Sequence, residues 1–306
     1  MRAAITTRYG GPEVIKIQEV PVPTIKANEL LIKVKASSLN SGDVRIRRLD
    51  GGGVPPFLMR LIFGWQRPKS GVQGMMFSGI VEAVGSKVKD YQTGDELMGS
   101  TGIAMGAHAE YLKVEANKTL YRKPQNASFE EAAAIIFGGT TALYFLQKAG
   151  IQQMNQAKVL IYGATGSVGT AAIEIAKHYG ASVTAVCSFR GAELAKTLGA
   201  DKLVDYTKED FRALNAQFDI IFDAVGKIKK KDCQKLLKPN GKFITVGGMD
   251  VAKETGAQLE VLSSLFDEGK LHANIEKVYA LEDAAQAHSH VDSGRKKGNV
   301  VIRLED

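Results

Sequence analysis

Three glycines spaced three apart, Gly163, Gly166 and Gly169, carry the clearest chemical capacity in this 306-residue chain. They stand in Gly163-Ala164-Thr165-Gly166-Ser167-Val168-Gly169. Residues without side-chain bulk at this spacing let backbone N–H groups approach a phosphate closely, and the positive end of a helix starting there favours the anion. Such chemistry needs a strand to deliver the chain into the turn and a helix to leave it. Lys158 to Tyr162 is a short apolar run rich in β-branched residues, which predicts the strand. Ala171, Ile173, Ile175 and Ala176 carry a helical pattern out of the turn. Strand, glycine turn, helix and second strand together make a unit that holds a dinucleotide pyrophosphate. Gly163 and Gly166 serve the tight turn and the approach of the phosphates, and Gly169 the packing of helix on strand. The strict G-x-G-x-x-G spacing is broken at its first glycine by Ala164.

Cofactor choice is read at the end of the second strand. A site for NAD(H) places an Asp or Glu there to bond the ribose hydroxyls. This chain has Cys187-Ser188-Phe189-Arg190, and the next acid along is Glu193. Ser188 can donate a hydrogen bond and Arg190 a charged fork to a 2′-phosphate, which favours NADP(H); the other reading of Arg190 is a solvated residue at a helix start. Further strands are expected at Lys202 to Tyr206, Asp219 to Val225 and Lys242 to Gly247, with helices from Gly191 to Leu198 and Lys230 to Leu237. Tyr206 stands either beside the adenosine phosphate or as an ordinary strand-end aromatic. Ala224-Val225-Gly226 and Val246-Gly247-Gly248 fall at the carboxyl edge of the sheet, where they are candidates for the nicotinamide ribose.

Residues 1 to 120 read differently, as short strands separated by turn residues: Ala3 to Thr6, Val14 to Val20, Glu29 to Ala36, Phe77 to Gly85, Glu96 to Gly99 and Ala109 to Val114. A β-rich domain therefore precedes a βαβ domain. Hydrophobic content of 44% with 32 glycines fits an α/β protein, and the net charge of +7 is spread among interspersed acids. An anionic cofactor suits that charge and nucleic-acid binding is not required by it. Two cysteines, Cys187 and Cys233, make no disulfide framework, so a reducing, cytoplasmic setting is expected. No apolar leader opens the chain, and no segment is read as a membrane span.

The order of motifs resembles the medium-chain dehydrogenase/reductase superfamily, in its zinc-free quinone oxidoreductase-like branch. The resemblance rests on Gly10-Gly11-Pro12-Glu13-Val14, Ser38-Leu39-Asn40-Ser41-Gly42-Asp43, Phe77-Ser78-Gly79, Gly94-Asp95-Glu96, Gly139-Thr140-Thr141-Ala142, the glycine turn, Leu198-Gly199-Ala200-Asp201 and Gly298-Asn299-Val300-Val301-Ile302. It implies a GroES-like catalytic domain over 1–120, completed by 270–306. It also implies a doubly wound Rossmann domain for NADP(H) over 121–269, with the cofactor in the cleft between the two. Where zinc-dependent relatives carry a Cys and a His-Glu pair, this chain has Asn40 and Met75-Met76. The structural zinc lobe needs four cysteines, so no zinc is expected. His288 and His290, two apart on an expected helix, are read as surface residues facing apart. By position, Asn40 is the candidate to touch nicotinamide or substrate and Thr140 a second; Arg45 stands where many relatives have a Tyr.

The activity implied is zinc-independent hydride transfer from NADPH to a quinone or an α,β-unsaturated carbonyl. Alternatives are an NADPH-binding regulatory or sensor protein with little turnover, and a zinc-free alcohol dehydrogenase or enoyl reductase of a biosynthetic pathway. The chain departs from the family after the fifth Rossmann strand, passing from Gly248 almost directly into a helix over Thr255 to Glu268. A sixth strand is therefore expected to be missing, and the protein to be a monomer or an atypical homodimer. Residues 44 to 73 are read as a mobile lid, as a surface loop with a short helix, or as an interfacial helix carrying Phe57, Leu58, Leu61, Ile62, Phe63 and Trp65.

Overall fold

The structure, a computed structural model, describes residues 1–51, 55–248 and 250–304. The chain forms two compact units. One comprises Met1–Ile136, Thr255–Asp267 and the chain from Ile275 onward; the other comprises Phe137–Glu254 and Glu268–Asn274.

The first unit opens with β1 (Arg2–Thr6) and β2 (Ile15–Glu19), an antiparallel pair. The long strand β3 (Glu29–Leu39) follows and organises the unit. Ile32 and Val34 turn inward while Lys33 and Lys35 turn outward, the alternation that the pleat imposes. α1 (Ser41–Arg48) begins where β3 ends, and α2 (Pro56–Phe63) comes after residues 52–54, which lie outside the described residues together with part of the expected lid. β4 (Met76–Val84), β5 (Glu96–Ser100), β6 (Tyr111–Glu115) and β7 (Thr119–Arg122) then pair antiparallel. α3 (Phe129–Lys148) starts with a capping box, Ser128 Oγ accepting from Glu131 N at 3.2 Å and Glu131 Oε2 from Ser128 N at 2.9 Å. α3 is long and apolar enough to cross a membrane, which the sequence reading did not find, but 72% of its most apolar 18-residue stretch is buried, as befits a core helix.

In the second unit β8 (Lys158–Tyr162), α4 (Ser167–His178) and β9 (Ser182–Cys187) fall where the sequence expects them. α5 (Ala192–Thr197), β10 (Lys202–Asp205), β11 (Phe218–Asp223) and β12 (Leu237–Thr245) follow. Residues Lys230–Leu236, expected as an α-helix, are a 3-10 helix. The loop after β11 uses the first part of the connection to β12, so only this short stretch is left to carry the chain back to the sheet. The sheet is parallel throughout, in the order β10-β9-β8-β11-β12, with the topological switch between β8 and β11. Among the described residues it has five strands, without a sixth, and β12 is its edge.

The chain returns to the first unit with α6 (Gly256–Asp267), β13 (Ile275–Ala280), α7 (Ala284–Asp292) and β14 (Asn299–Arg303). β14 pairs with the end of β3 and completes a sheet ordered β13-β14-β3-β4-β5-β7, with β6 on the first half of β3. Leu30, Ile32, Phe77, Leu97, Val300 and Ile302 form its dry core. One expectation is corrected here. His290 is half-buried, but His288 lies in the interior, because α7 packs its Ala287–His288 side inward.

Candidate functional site

The glycine turn is set by where β8 must end. Gly163 has φ +77°, and a Cβ on it would stand 2.0 Å from Val225 Cγ2, so the loop after β11 presses directly on the turn. A Cβ on Gly169 would stand 2.2 Å from the Gly163 carbonyl oxygen, which fixes the closeness of helix and strand. Gly166 is different. Its Cβ would meet nothing nearer than the Gly163 oxygen at 3.8 Å, so nothing in the protein's own packing demands a glycine there. Gly166 is the N-cap of α4 and supplies no side-chain cap to the first turn. Ala164 and Val168 are buried beneath the turn, Thr165 is half-buried, and the Ser167 carbonyl lies against Gly138 of α3. An open space at a bare helix start fits a pyrophosphate.

Three neighbouring loops converge on this turn. Ser188-Phe189-Arg190 follows β9, with Ser188 half-buried and Arg190 exposed. Gly191, which sequence reading missed, seats that loop: its Cβ would lie 2.7 Å from Thr165 Oγ1. Tyr206, half-exposed, donates its backbone N–H to the Cys187 oxygen at 3.1 Å, and its ring lies 6.2 Å from that of Tyr162. The sequence offered no carboxylate within the loop itself; the fold brings one from β10. Asp205 accepts from Thr207 Oγ1 at 2.6 Å and from Thr207 N at 3.0 Å, and these bonds hold its carboxyl below the usual range.

The other two loops are tied by Asp223, also unread in the sequence. Fully buried at the end of β11, it accepts from Val225 N at 3.1 Å, Gly226 N at 2.8 Å, Ile228 N at 3.0 Å and Thr245 Oγ1 at 3.0 Å. Ala224 N donates to the Tyr162 oxygen and Val246 N to the Asp223 oxygen, and Gly226 and Gly247 pass so closely that a Cβ on either would clash. Gly248 is exposed beyond them. A run of backbone at the carboxyl edge of a switch point is thus presented to solvent on fixed supports. Thr140 is fully buried in α3, its hydroxyl 3.5 Å from the Phe137 carbonyl.

Asn40 and Arg45 belong to the first unit. Asn40 is the N-cap of α1: its Oδ1 accepts from Gly42 N at 2.7 Å and Asp43 N at 3.3 Å, and Asp43 Oδ2 accepts from Asn40 N at 3.0 Å. Its Nδ2 is buried without a hydrogen-bond partner. Arg45 is exposed on the same helix. Two residues on, Arg47 is completely buried. It donates from Nε to His288 Nδ1 at 3.2 Å, from a terminal nitrogen to the Gly10 oxygen at 2.5 Å, and from the other to Asp292. Arg47 therefore fastens the helix that Asn40 caps to the Gly10-Gly11-Pro12 turn and to α7. A helical-period signal for it exists, since Asp43, Val44 and Arg47 share one face. Desolvation holds His288 well below its ordinary pKa and His108, whose ring meets it edge-on at 5.7 Å, down to about 3.

At the positions where the resemblance implies the zinc-dependent relatives' ligands, this chain offers the Asn40 amide, whose Oδ1 serves the cap, and the thioethers of Met75 and Met76. Cys187 and Cys233 are buried in the other unit, and burial raises the thiol pKa of both. Among the described residues no three of His, Cys, Asp or Glu are grouped to hold a metal. These side chains do not fit a zinc ion.

Residues 198–302 match the family described as zinc-binding dehydrogenase, and residues 26–125 the alcohol dehydrogenase GroES-like domain. The chain is 35% identical to the 2-methylene-furan-3-one reductase of Solanum lycopersicum, over 99% of this chain and 79% of that protein. It is 32% identical, with the same coverage, to the chloroplastic NADPH-dependent alkenal/one oxidoreductase of Arabidopsis thaliana. Among solved structures it resembles the quinone oxidoreductase from Coxiella burnetii, with a TM-score of 0.86, 27% identity and coverage of 100% of this chain and 99% of that one. The chain belongs to the medium-chain dehydrogenase/reductase superfamily, in its quinone oxidoreductase-like branch.

Proposed function

We propose that this protein is a zinc-independent oxidoreductase that uses NADPH to reduce an α,β-unsaturated carbonyl or a quinone. Two relatives above 30% identity are named for a 2-methylene-furan-3-one and for alkenals and alkenones, which favours the unsaturated carbonyl. The observation that carries the reading is the open space at Gly166, where the protein's own packing leaves room beside the first turn of α4.

NADPH, when bound, supplies the hydride. The first turn of α4 holds its pyrophosphate, Ser188 and Arg190 take the 2′-phosphate, and Tyr206 lies along the adenosine side. Ala224, Val225, Val246, Gly247 and Gly248 offer the nicotinamide ribose their backbone carbonyls, the N–H groups of the first four being bonded within the protein. Asn40 Nδ2, buried without a partner in the first unit, is the donor proposed for the carbonyl to be reduced. A buried donor left without a partner costs about 1–3 kcal/mol, and an acceptor in that place recovers it while polarising the carbonyl.

The test is Gly166→Leu. Gly166 has φ −81° and ψ 176°, a conformation open to any residue, so the variant is expected to melt with the wild type. It should bind NADPH at least about a hundredfold more weakly, ~2.7 kcal/mol. Equal binding by both proteins would refute the assignment of this turn to the phosphates.

A further inference from the structure

α2 is built inside out. Met59 is its one buried residue, whereas Phe57, Leu58, Leu61, Ile62 and the following Trp65 are between 39% and 63% exposed. A helix at a water-facing surface ordinarily turns its polar side outward, so this apolar face needs a partner. Its seat is firm. Tyr9 Oη donates to the Gly64 oxygen at 2.8 Å, Arg60 lies over the Tyr9 and Trp65 rings at 5.6 and 5.9 Å, and Lys69 N bonds the Phe63 oxygen at 2.6 Å.

Charge selects the partner. Arg60, Arg67 and Lys69 flank the face, and no Asp or Glu occurs anywhere between Asp50 and Glu82. A second copy of this chain meeting the same patch about a two-fold axis would set these cations against themselves, with no carboxylate of the segment to pair them. A surface of anionic lipid supplies the missing negative charge and accepts the apolar side chains. Trp65 stands at the helix end, where an amphipathic ring sits well at the level of the headgroups.

We infer that α2 and Trp65 form a peripheral membrane-docking face for an anionic lipid bilayer. Trp65 is the only tryptophan in the chain, so its emission reports the event directly. The whole protein is mixed with vesicles of phosphatidylcholine and phosphatidylglycerol, then with vesicles of phosphatidylcholine alone. The expected result is a blue shift and co-sedimentation with the mixed vesicles, weakening as salt rises and much reduced without the anionic lipid. Leu61→Ser/Ile62→Ser, which changes only exposed side chains, should melt with the wild type and partition about tenfold or more weakly. Arg67→Glu/Lys69→Glu should lose the preference for anionic lipid. The inference is overturned if neither vesicle shifts the emission. It is equally overturned if NADP⁺ alone does so in their absence, which makes the face a lid. Self-association that the Leu61→Ser/Ile62→Ser protein lacks, without vesicle binding, assigns the face to a second copy and also overturns it.

Discussion

Gly191 rests on Thr165: with the one given a Cβ, 2.7 Å would separate it from the other's Oγ1, so the loop after β9 is seated on the glycine turn itself. The groups proposed for the 2′-phosphate and those for the pyrophosphate are therefore one mechanical unit. Gly191→Ala should lift the loop and weaken NADPH binding about tenfold, ~1.4 kcal/mol. Thr165→Ala in the same chain removes the hydroxyl and methyl and should restore most of the loss. Titration of the three proteins checks this; unchanged affinity in Gly191→Ala would show that the loop position does not matter.

The turn was legible from sequence because every step of it is local: an apolar strand, glycines at fixed offsets, a helical period. Gly191 and Asp205 were not, since each acts on a neighbour brought near only by the sheet order β10-β9-β8. Asp223 escaped because a strand-end acid is read as ordinary; its three bonds to its own loop and one to the end of β12 appear only once the chain is folded. Arg47 shares a helix face with Asp43 and Val44, which Arg45 does not, but what that face meets, α7 and the Gly10 turn, shows only in the packing. Residues Thr119–Arg122 and Ile275–Ala280 were unread as strands because neither run has a long alternation.

Asp205 sets a negative charge beside the loop that carries Ser188 and Arg190. Asp205→Asn should raise the preference for NADPH over NADH about three- to tenfold, because like charge near a phosphate opposes binding. Nucleotide titrations of both proteins measure the ratio, and a ratio that falls would mean that Asp205 assists the phosphate site.

Arg47 holds three elements together at a point closed to water. Arg47→Met leaves the Gly10 oxygen without its donor and Asp292 with Arg48 alone, and should cost about 3–5 kcal/mol in urea unfolding. A loss below about 1 kcal/mol would mark the ion pair as dispensable.

His108 and His288 give a pH dependence with a definite sign. Both folded pKa values lie below the ordinary 6.5, so the folded state resists a proton that the unfolded chain accepts. Their contribution is complete above about pH 6.5 and is lost as pH falls towards about 3 for His108, at up to ~1.4 kcal/mol per pH unit for each ring. His108→Gln should flatten the acid limb of the stability curve relative to wild type; parallel limbs would contradict this.

The most direct measurement is turnover. Purified protein is given NADPH with a panel of alkenals, alkenones and quinones, and loss of the reduced nicotinamide absorbance is followed with and without a zinc chelator. The account predicts stoichiometric oxidation of NADPH with at least one unsaturated carbonyl or quinone, undiminished by the chelator and about tenfold or more slower with NADH. Tight NADPH binding with no oxidation across the panel, or activity abolished by the chelator and restored by zinc, would contradict it.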